Sequence, residues 1–248
     1  MGAPGPGGAA EGGPELDAQA GFGRLYGRRI GRPLRPGQQE RLARLLPALA
    51  LPATLPPDLR SLFAAPVSEV WLEIGFGGGE HLTAQAAARP DVGLIGVEPF
   101  VNGIAKALAA IEAQGLANIR LLHGDARPLL ARLPEASLTR IFVLFPDPWR
   151  KARHHRRRLI QHDTLALLAR ALADGGELRL ATDHADYLVW MLEHLRGHPD
   201  LAWTAGRAAD WLTRPPDWPP TRYEEKALAA GRIPVFLRFR RRRRDGAP

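Results

Sequence analysis

Apolar residues along this chain follow two alternating rhythms. From Val70 onward, short apolar runs of strand length recur: VWLEI (70–74), LIGVE (94–98), IRLLH (119–123), RIFVLF (140–145) and ELRLAT (177–182). Between them the spacing turns helical. In FVNGIAKALAAIEAQG (100–115), Val101, Ile104, Leu108 and Ile111 recur at helical intervals and Gly115 supplies the stop. Strands alternating with helices predict βαβ units in an open parallel sheet, an α/β fold. A further helix is expected in QQERLARLLPALA (38–50), followed by a connection broken by Pro52, Pro56 and Pro57. Near the C-terminus a helix, RYEEKALAAG (222–231), leads into a last strand, IPVFLRFR (233–240). Residues 1–22 are rich in Gly, Pro and Ala without apolar periodicity and are expected to be disordered. The chain therefore divides into that tail, a basic arm with a helix over 23–65, and an α/β domain over 66–248 whose end is basic.

Composition narrows the function classes. The chain has 248 residues, 45% of them hydrophobic, and no cysteine, which excludes disulfides, thiolate metal sites and a thiol nucleophile. No apolar run approaches the ~20 residues of a membrane helix, and the N-terminus has no basic-then-apolar leader, so a soluble cytoplasmic protein is expected. His154 and His155 are adjacent and diverge, and His194 and His198 have no third candidate nearby, so no metal site is expected. The formal net charge is +8, and the 34 basic residues include only three lysines, Lys106, Lys151 and Lys226. The cations cluster in GRLYGRRIGRPLR (23–35), RKARHHRRR (150–158) and RFRRRRR (238–244). Such clustering points to a polyanionic partner, nucleic acid before membrane.

In open parallel sheets, ligands bind beyond the carboxyl ends of the strands. The first strand runs into LEIGFGGGEH (72–81), where Gly75, Gly77 and Gly79 let the backbone turn tightly against a ligand. A dinucleotide fingerprint would need glycine at position 80, which is Glu80; the spacing present suits S-adenosylmethionine. Alone, such a loop often only closes a turn. Glu98 closes the next strand, where an acid can accept from both ribose hydroxyls, Asp125 follows the third, where it can accept from an adenine amino group, and Glu73 lies just before the glycine loop. Any one of these acids could be a helix cap or loop residue. Three at successive strand ends give a negative potential that suits a cationic sulfonium.

The fourth strand ends in FPDPW, with Asp147 between Pro146 and Pro148 and followed by Trp149. The prolines restrict the backbone on both sides of the acid, and Trp149 offers a face on which a base can stack. The bland alternative is a proline turn with a buried tryptophan anchor. Beyond Trp149 come Lys151, Arg153 and Arg156 to Arg158, expected to hold phosphates.

FPDPWRKARHHRRRL (145–159), ATDHADY (181–187), TRYEEKALAAGRIP (221–234) and YGRRIGRPLRPGQ (26–38) together resemble the bacterial tRNA (guanine-N7)-methyltransferases, across roughly Gly23 to Arg241. The resemblance implies a Rossmann-like class I methyltransferase, with a mostly parallel seven-stranded sheet flanked by helices and a C-terminal antiparallel strand. It implies S-adenosylmethionine as cofactor and tRNA as partner, with methylation of a variable-loop guanine, position 46. It also implies that Glu73, Glu98, Asp125 and Asp147 contact the cofactor or the reaction centre, while Lys151, Asp183, Thr221, Arg222, Tyr223 and Glu224 face the substrate. Guanine N7 has a free lone pair, so attack on an activated methyl needs positioning but no general base. A fixed carboxylate such as Asp147 suits the positive charge that develops on the ring, and Asp183 and Glu224 could accept from guanine N1 and N2 hydrogens. Each of these two acids could equally serve a helix N-terminus.

Three rivals remain at this stage. An amino-methyltransferase acting on adenine or cytosine carries paired prolines after its strand-end acid, unlike Pro-Asp-Pro-Trp. A non-catalytic RNA-binding protein on the same fold would have lost cofactor acids or glycines. An NAD-dependent oxidoreductase fits neither the glycine spacing nor the basic surface.

Overall fold

The computed structural model describes residues 25–27 and 29–244; the tail expected over 1–22 lies outside the described residues. Seven strands, β1 (Glu69–Ile74), β2 (Val92–Glu98), β3 (Ile119–His123), β4 (Leu138–Leu144), β5 (Leu172–Thr182), β6 (Leu201–Trp203) and β7 (Val235–Arg241), form one sheet in the order β3-β2-β1-β4-β5-β7-β6. The first five pair in parallel and β7 runs antiparallel to both β5 and β6. The mostly parallel seven-stranded sheet with a C-terminal antiparallel strand is thus present. Each strand read from the sequence is found, β5 starting at Leu172 rather than Glu177; β6 is not expected from the sequence, because its three residues are too short a run to show a period.

The helices are α1 (Pro36–Leu49), α2 (Glu80–Ala88), α3 (Val101–Gln114), α4 (Ala126–Arg132), α5 (His162–Ala171), α6 (Ala185–Arg196), α7 (Ala209–Leu212) and α8 (Arg222–Ala229). Pro47 lies in the last turn of α1, where it removes one intrahelical hydrogen bond, and the helix ends two residues later. Alternation along the strands builds two cores. Leu72 and Ile74 of β1, Ile95 and Val97 of β2, and Ile141 and Val143 of β4 pack with Leu129, Leu165, Leu168 and Met191 from α4 to α6. Trp71, Leu94 and Phe142, one position out of phase, pack on the other side with Leu82, Ile104 and Leu108 from α2 and α3. Each fully buried side chain of this size contributes roughly 1.5–3 kcal/mol. Both faces are covered, which is why the strands read as continuous apolar runs.

The C-terminal arginines staple the edge of the sheet away from the glycine loop. Arg241 is buried and donates from Nε to the Ala169 carbonyl (3.0 Å). Arg244 ion-pairs with Asp174 and with Glu135, and donates to the carbonyls of Arg170 and Leu172. The parallel register sets Ile74 against Val97 and Val143, so the segments after β1, β2, β3 and β4 leave the sheet along one edge.

Candidate active site

The glycine loop after β1 is held open from below. Gly75, Gly77 and Gly79 all have positive φ (73°, 59° and 82°), and Gly79 is the N-cap of α2. Glu98, 6% exposed at the end of β2, accepts from the Gly77 amide (2.7 Å) with one oxygen and from the Phe100 amide (2.8 Å) with the other. Burial pushes the Glu98 carboxyl above its ordinary range; the two amide bonds pull the other way, and neighbouring Asp147 and Glu73 push it further up. Glu73 does not join it in the cleft. It points from β1 toward α2, is 3% exposed, and lies 2.8 Å from His81 Nδ1. His81 in turn lies 3.3 Å from Gln85, whose amide reaches the Asp217 carbonyl (2.8 Å). Its place one residue ahead of the loop suggested a ligand contact, but the pleat turns it to the covered face.

Asp147 sits on a strained segment. Phe145 (φ 50°) and Trp149 (φ 45°), on either side of the Pro-Asp-Pro unit, both adopt the left-handed region, which costs on the order of 1–3 kcal/mol for each non-glycine residue. Tertiary contacts over-determine the turn. The Phe145 amide donates to the Ala181 carbonyl (2.8 Å), and its ring stacks with Tyr223 (centroids 6.5 Å apart, planes at 19°). The Pro148 carbonyl accepts from Arg158 Nε (2.9 Å). Burial alone pushes the Asp147 carboxyl up. Asp147, Trp149, Asp125 and Arg157 line a common cleft of about 180 Å3. Asp125 caps α4 through the Arg127 amide (3.0 Å), and its carboxylate pairs with the Arg127 guanidinium (2.6 Å).

The basic arm crosses this edge as a strap. Asn102, in the first turn of α3, accepts from the Gly31 amide (2.8 Å) and donates to the Arg32 carbonyl (2.8 Å), while the Val101 amide donates to the Arg29 carbonyl (3.0 Å). Farther along, Tyr26 meets Trp149 edge to face (6.3 Å), and the Arg157 guanidinium lies 4.2 Å from the Tyr26 ring and 5.1 Å from the Trp149 ring. Gly27 passes so close that a Cβ there would sit 3.4 Å from an Asp147 oxygen.

The segment 221–224 closes the other flank. Thr221 caps α8 through the Glu224 amide (3.1 Å), and Tyr223 lies over Gly77, where a Cβ would come within 2.9 Å of its ring. Burial, and after it Glu98, pushes the Tyr223 hydroxyl up. The Arg222 guanidinium lies 5.9 Å from the Tyr223 ring. The two acids read as guanine acceptors each have a protein partner: Asp183 pairs with Arg232 (2.6 Å), and buried Glu224 pairs with Arg214 (3.1 Å). Lys151 is exposed at the start of a short 3-10 helix, Ala152–Arg157. Of the residues singled out in the sequence, the structure therefore brings Gly77, Glu98, Asp147 and Tyr223 together, with Asp125 lining the cleft beside Asp147; Glu73 lies near Glu98 but is engaged by His81, Asp183 by Arg232, and Lys151 is exposed.

Comparison with known proteins identifies the family. The family model described as "Putative methyltransferase" matches residues 68–236. A tRNA (guanine-N(7)-)-methyltransferase of Rhodospirillum rubrum is 56% identical over 230 residues, covering 91% of this chain and 90% of that protein. The chain belongs to the tRNA (guanine-N7)-methyltransferase family. A second member, from Azorhizobium caulinodans, is 51% identical over 88% of this chain and 95% of its own length. The fold is also that of an antibiotic-related methyltransferase (18% identity, TM-score 0.50, covering 78% of this chain and 97% of that one). The same holds for a 16S rRNA (adenine(1408)-N(1))-methyltransferase from Catenulisporales acidiphilia (17% identity, TM-score 0.50, covering 77% and 94%).

The cofactor of a class I methyltransferase is a cationic nucleoside, and the residues present fit it. Carboxylates whose proton affinity is raised, Glu98 and Asp147, near a loop of left-handed glycines favour a cation more than a pyrophosphate. Among the described residues, no group of three or more His, Cys, Asp or Glu is placed to hold a metal ion, and no helix is long and apolar enough to cross a membrane. Sequence reasoning did not single out Tyr26, Arg214 and Arg232, which contact Trp149, Glu224 and Asp183. Tyr26 carried a signal, an aromatic inside a cation run, whereas the two arginines looked like any others.

Proposed function

We propose that this chain transfers a methyl group from S-adenosylmethionine to N7 of a guanine in tRNA, and that this guanine is at position 46 in the variable loop. The observation that carries the reading is the placement of Glu98 and Asp147, two carboxylates with raised proton affinity beyond the ends of β2 and β4, on either side of the strand that carries the glycine loop, in a chain of this family. The cofactor supplies an electrophilic methyl on a positively charged sulfur. Glu98 and the Gly75–Gly79 loop would hold its nucleoside and amino-acid parts, with Asp125 toward the base. The N7 lone pair would attack that methyl in line with its bond to sulfur, which would break to leave a neutral thioether and the positive charge on the purine. No proton moves in that step, so no general base is required. Asp147, held on its strained turn, stabilises the charge that arrives on the purine ring. Trp149 and Tyr223 offer faces for the base, and Lys151, Arg153 and Arg156 face the phosphates. A tRNA substrate places the protein in the cytoplasm.

The test is methyl transfer from labelled S-adenosylmethionine to unmodified tRNA transcripts, with the product mapped by chain cleavage at 7-methylguanine. Label is expected on a single variable-loop guanine, with kcat in Asp147→Ala reduced roughly 10²–10³-fold. Label on adenine or cytosine would replace this reading with an amino-methyltransferase.

A further inference from the structure

Arg158 belongs by sequence to the run expected to grip phosphates, and the structure withdraws it from that task. Its side chain is fully buried, unlike that of neighbouring Arg156, and three contacts engage it. Nε donates to the Pro148 carbonyl (2.9 Å), and Nη2 lies 3.0 Å from His155 Nε2 and ion-pairs with Asp186 in the first turn of α6. The guanidinium also lies 4.8 Å from the Tyr187 ring and 5.0 Å from that of Trp190.

The contact with Pro148 has a specific mechanical meaning. That carbonyl belongs to the peptide plane joining Pro148 to Trp149, so its direction governs the φ of Trp149, which is 45°. Left free, the plane would rotate toward the commoner negative φ and carry the preceding residue, Asp147, with it. A buried charged donor fixed at its far side by Asp186 opposes that rotation, since a charge-assisted bond is stronger than the neutral bond water would provide. We propose that Arg158 is a positioning residue for methyl transfer: it holds the Asp147 turn in its strained form without touching substrate, and Asp186 holds Arg158. The proposal rests on the reading that Asp147 faces the reaction centre.

The experiment compares wild type, Arg158→Ala, Arg158→Lys, Asp186→Asn, Asp147→Ala and the double variant Asp147→Ala/Arg158→Ala, using S-adenosylmethionine and an unmodified tRNA transcript. Arg158→Ala is expected to lower kcat about 10- to 100-fold, with KM for tRNA and the cofactor dissociation constant within about twofold of wild type. Arg158→Lys keeps the charge and one donor and should fall between. The salt slope of tRNA binding should not change. The double variant should be no slower than Asp147→Ala alone, because one group acts through the other. A salt slope reduced by ~1 with kcat intact would make Arg158 a phosphate ligand and overturn the proposal. Multiplying losses in the double variant would also overturn it. Should Arg158→Ala fail to fold, Asp186→Asn and Arg158→Lys decide, and wild-type kcat in both is the contrary result. Full activity in Asp147→Ala would instead refute the assignment of Asp147, whatever Arg158 does.

Discussion

Two groups of charges, each built around one buried member, Arg179 or Glu98, share this sheet and carry opposite signatures. On β4 and β5, Arg140, Glu177 and Arg179 meet Asp217 from the segment before α8. Arg179, 3% exposed, binds Glu177 and Asp217, each at 2.7 Å. Burial works to raise both carboxyls, and the arginines more than offset it, so both end below their ordinary range. At the strand ends, Glu98 and Asp147 end above theirs. Desolvation raises the carboxyls in both regions, so it alone does not mark a site. What separates them is compensation: the first group is complete within the folded chain, whereas the second reaches its best state when a cation arrives.

The strongest way to break this contrast is to remove the centre of the compensated group. Arg179→Ala leaves partly buried Glu177 without its main cation and frees half-exposed Asp217, an expected loss of ~2–3 kcal/mol after screening by water is allowed for. In a chain of this size that lowers the unfolding midpoint by on the order of 10 °C, measurable by calorimetry. Methyl transfer below the transition should persist. A loss under ~1 kcal/mol would show the network to be ornamental.

Asp147→Asn should act in the other direction. Because the folded pKa of Asp147 is raised, its ionisation opposes folding above that pKa, so the variant should unfold at a higher temperature than wild type at pH 7. The gap should narrow as pH falls through the raised folded value and vanish below the unfolded value of about 3.9, where both side chains are neutral. Glu177 and Asp217 have depressed folded values, so their contribution is present at neutral pH and is lost as pH falls through those values. Melting curves between pH 3 and 8 would separate the two; an Asn variant less stable at pH 7 would sink the contrast.

The smallest expected effect is at the strap. Tyr26→Ala removes a cation–π contact with Arg157 that is half-open to water, worth ~0.5–1 kcal/mol. The dissociation constant for S-adenosylmethionine should rise roughly two- to fivefold with the unfolding midpoint unchanged. Equal affinity would detach the arm from the site.

Much of this was legible in the sequence where the signal is local. A strand followed by a glycine loop announces its own geometry, and the acids that close β2 and β4 stand where an open sheet presents ligands. The Pro-Asp-Pro-Trp turn was conspicuous for the same reason. What escaped was pairing across sequence distance. Asp183 and Arg232 are brought together by the antiparallel return of β7, and Glu224 meets Arg214 across a proline-rich loop. Neither partner carries any mark of the other. Glu73 shows the same kind of pairing at shorter range: strand alternation turns it toward His81 on α2, a contact that its place before the glycine loop does not announce. Arg158 failed because a basic run reads as uniform surface, and only folding distinguishes the arginine turned inward.

The left-handed residues Phe145 and Trp149 have a consequence for sequence variation. Core positions usually accept another apolar side chain of similar volume, and surface positions accept almost anything. Phe145 and Trp149 follow neither rule, because each combines a backbone that only glycine adopts freely with a ring that glycine lacks. No single substitution satisfies both demands. The five residues from 145 to 149 are therefore a stretch where drift is blocked by conformation, so that the family signature is preserved in part by the shape of its own backbone.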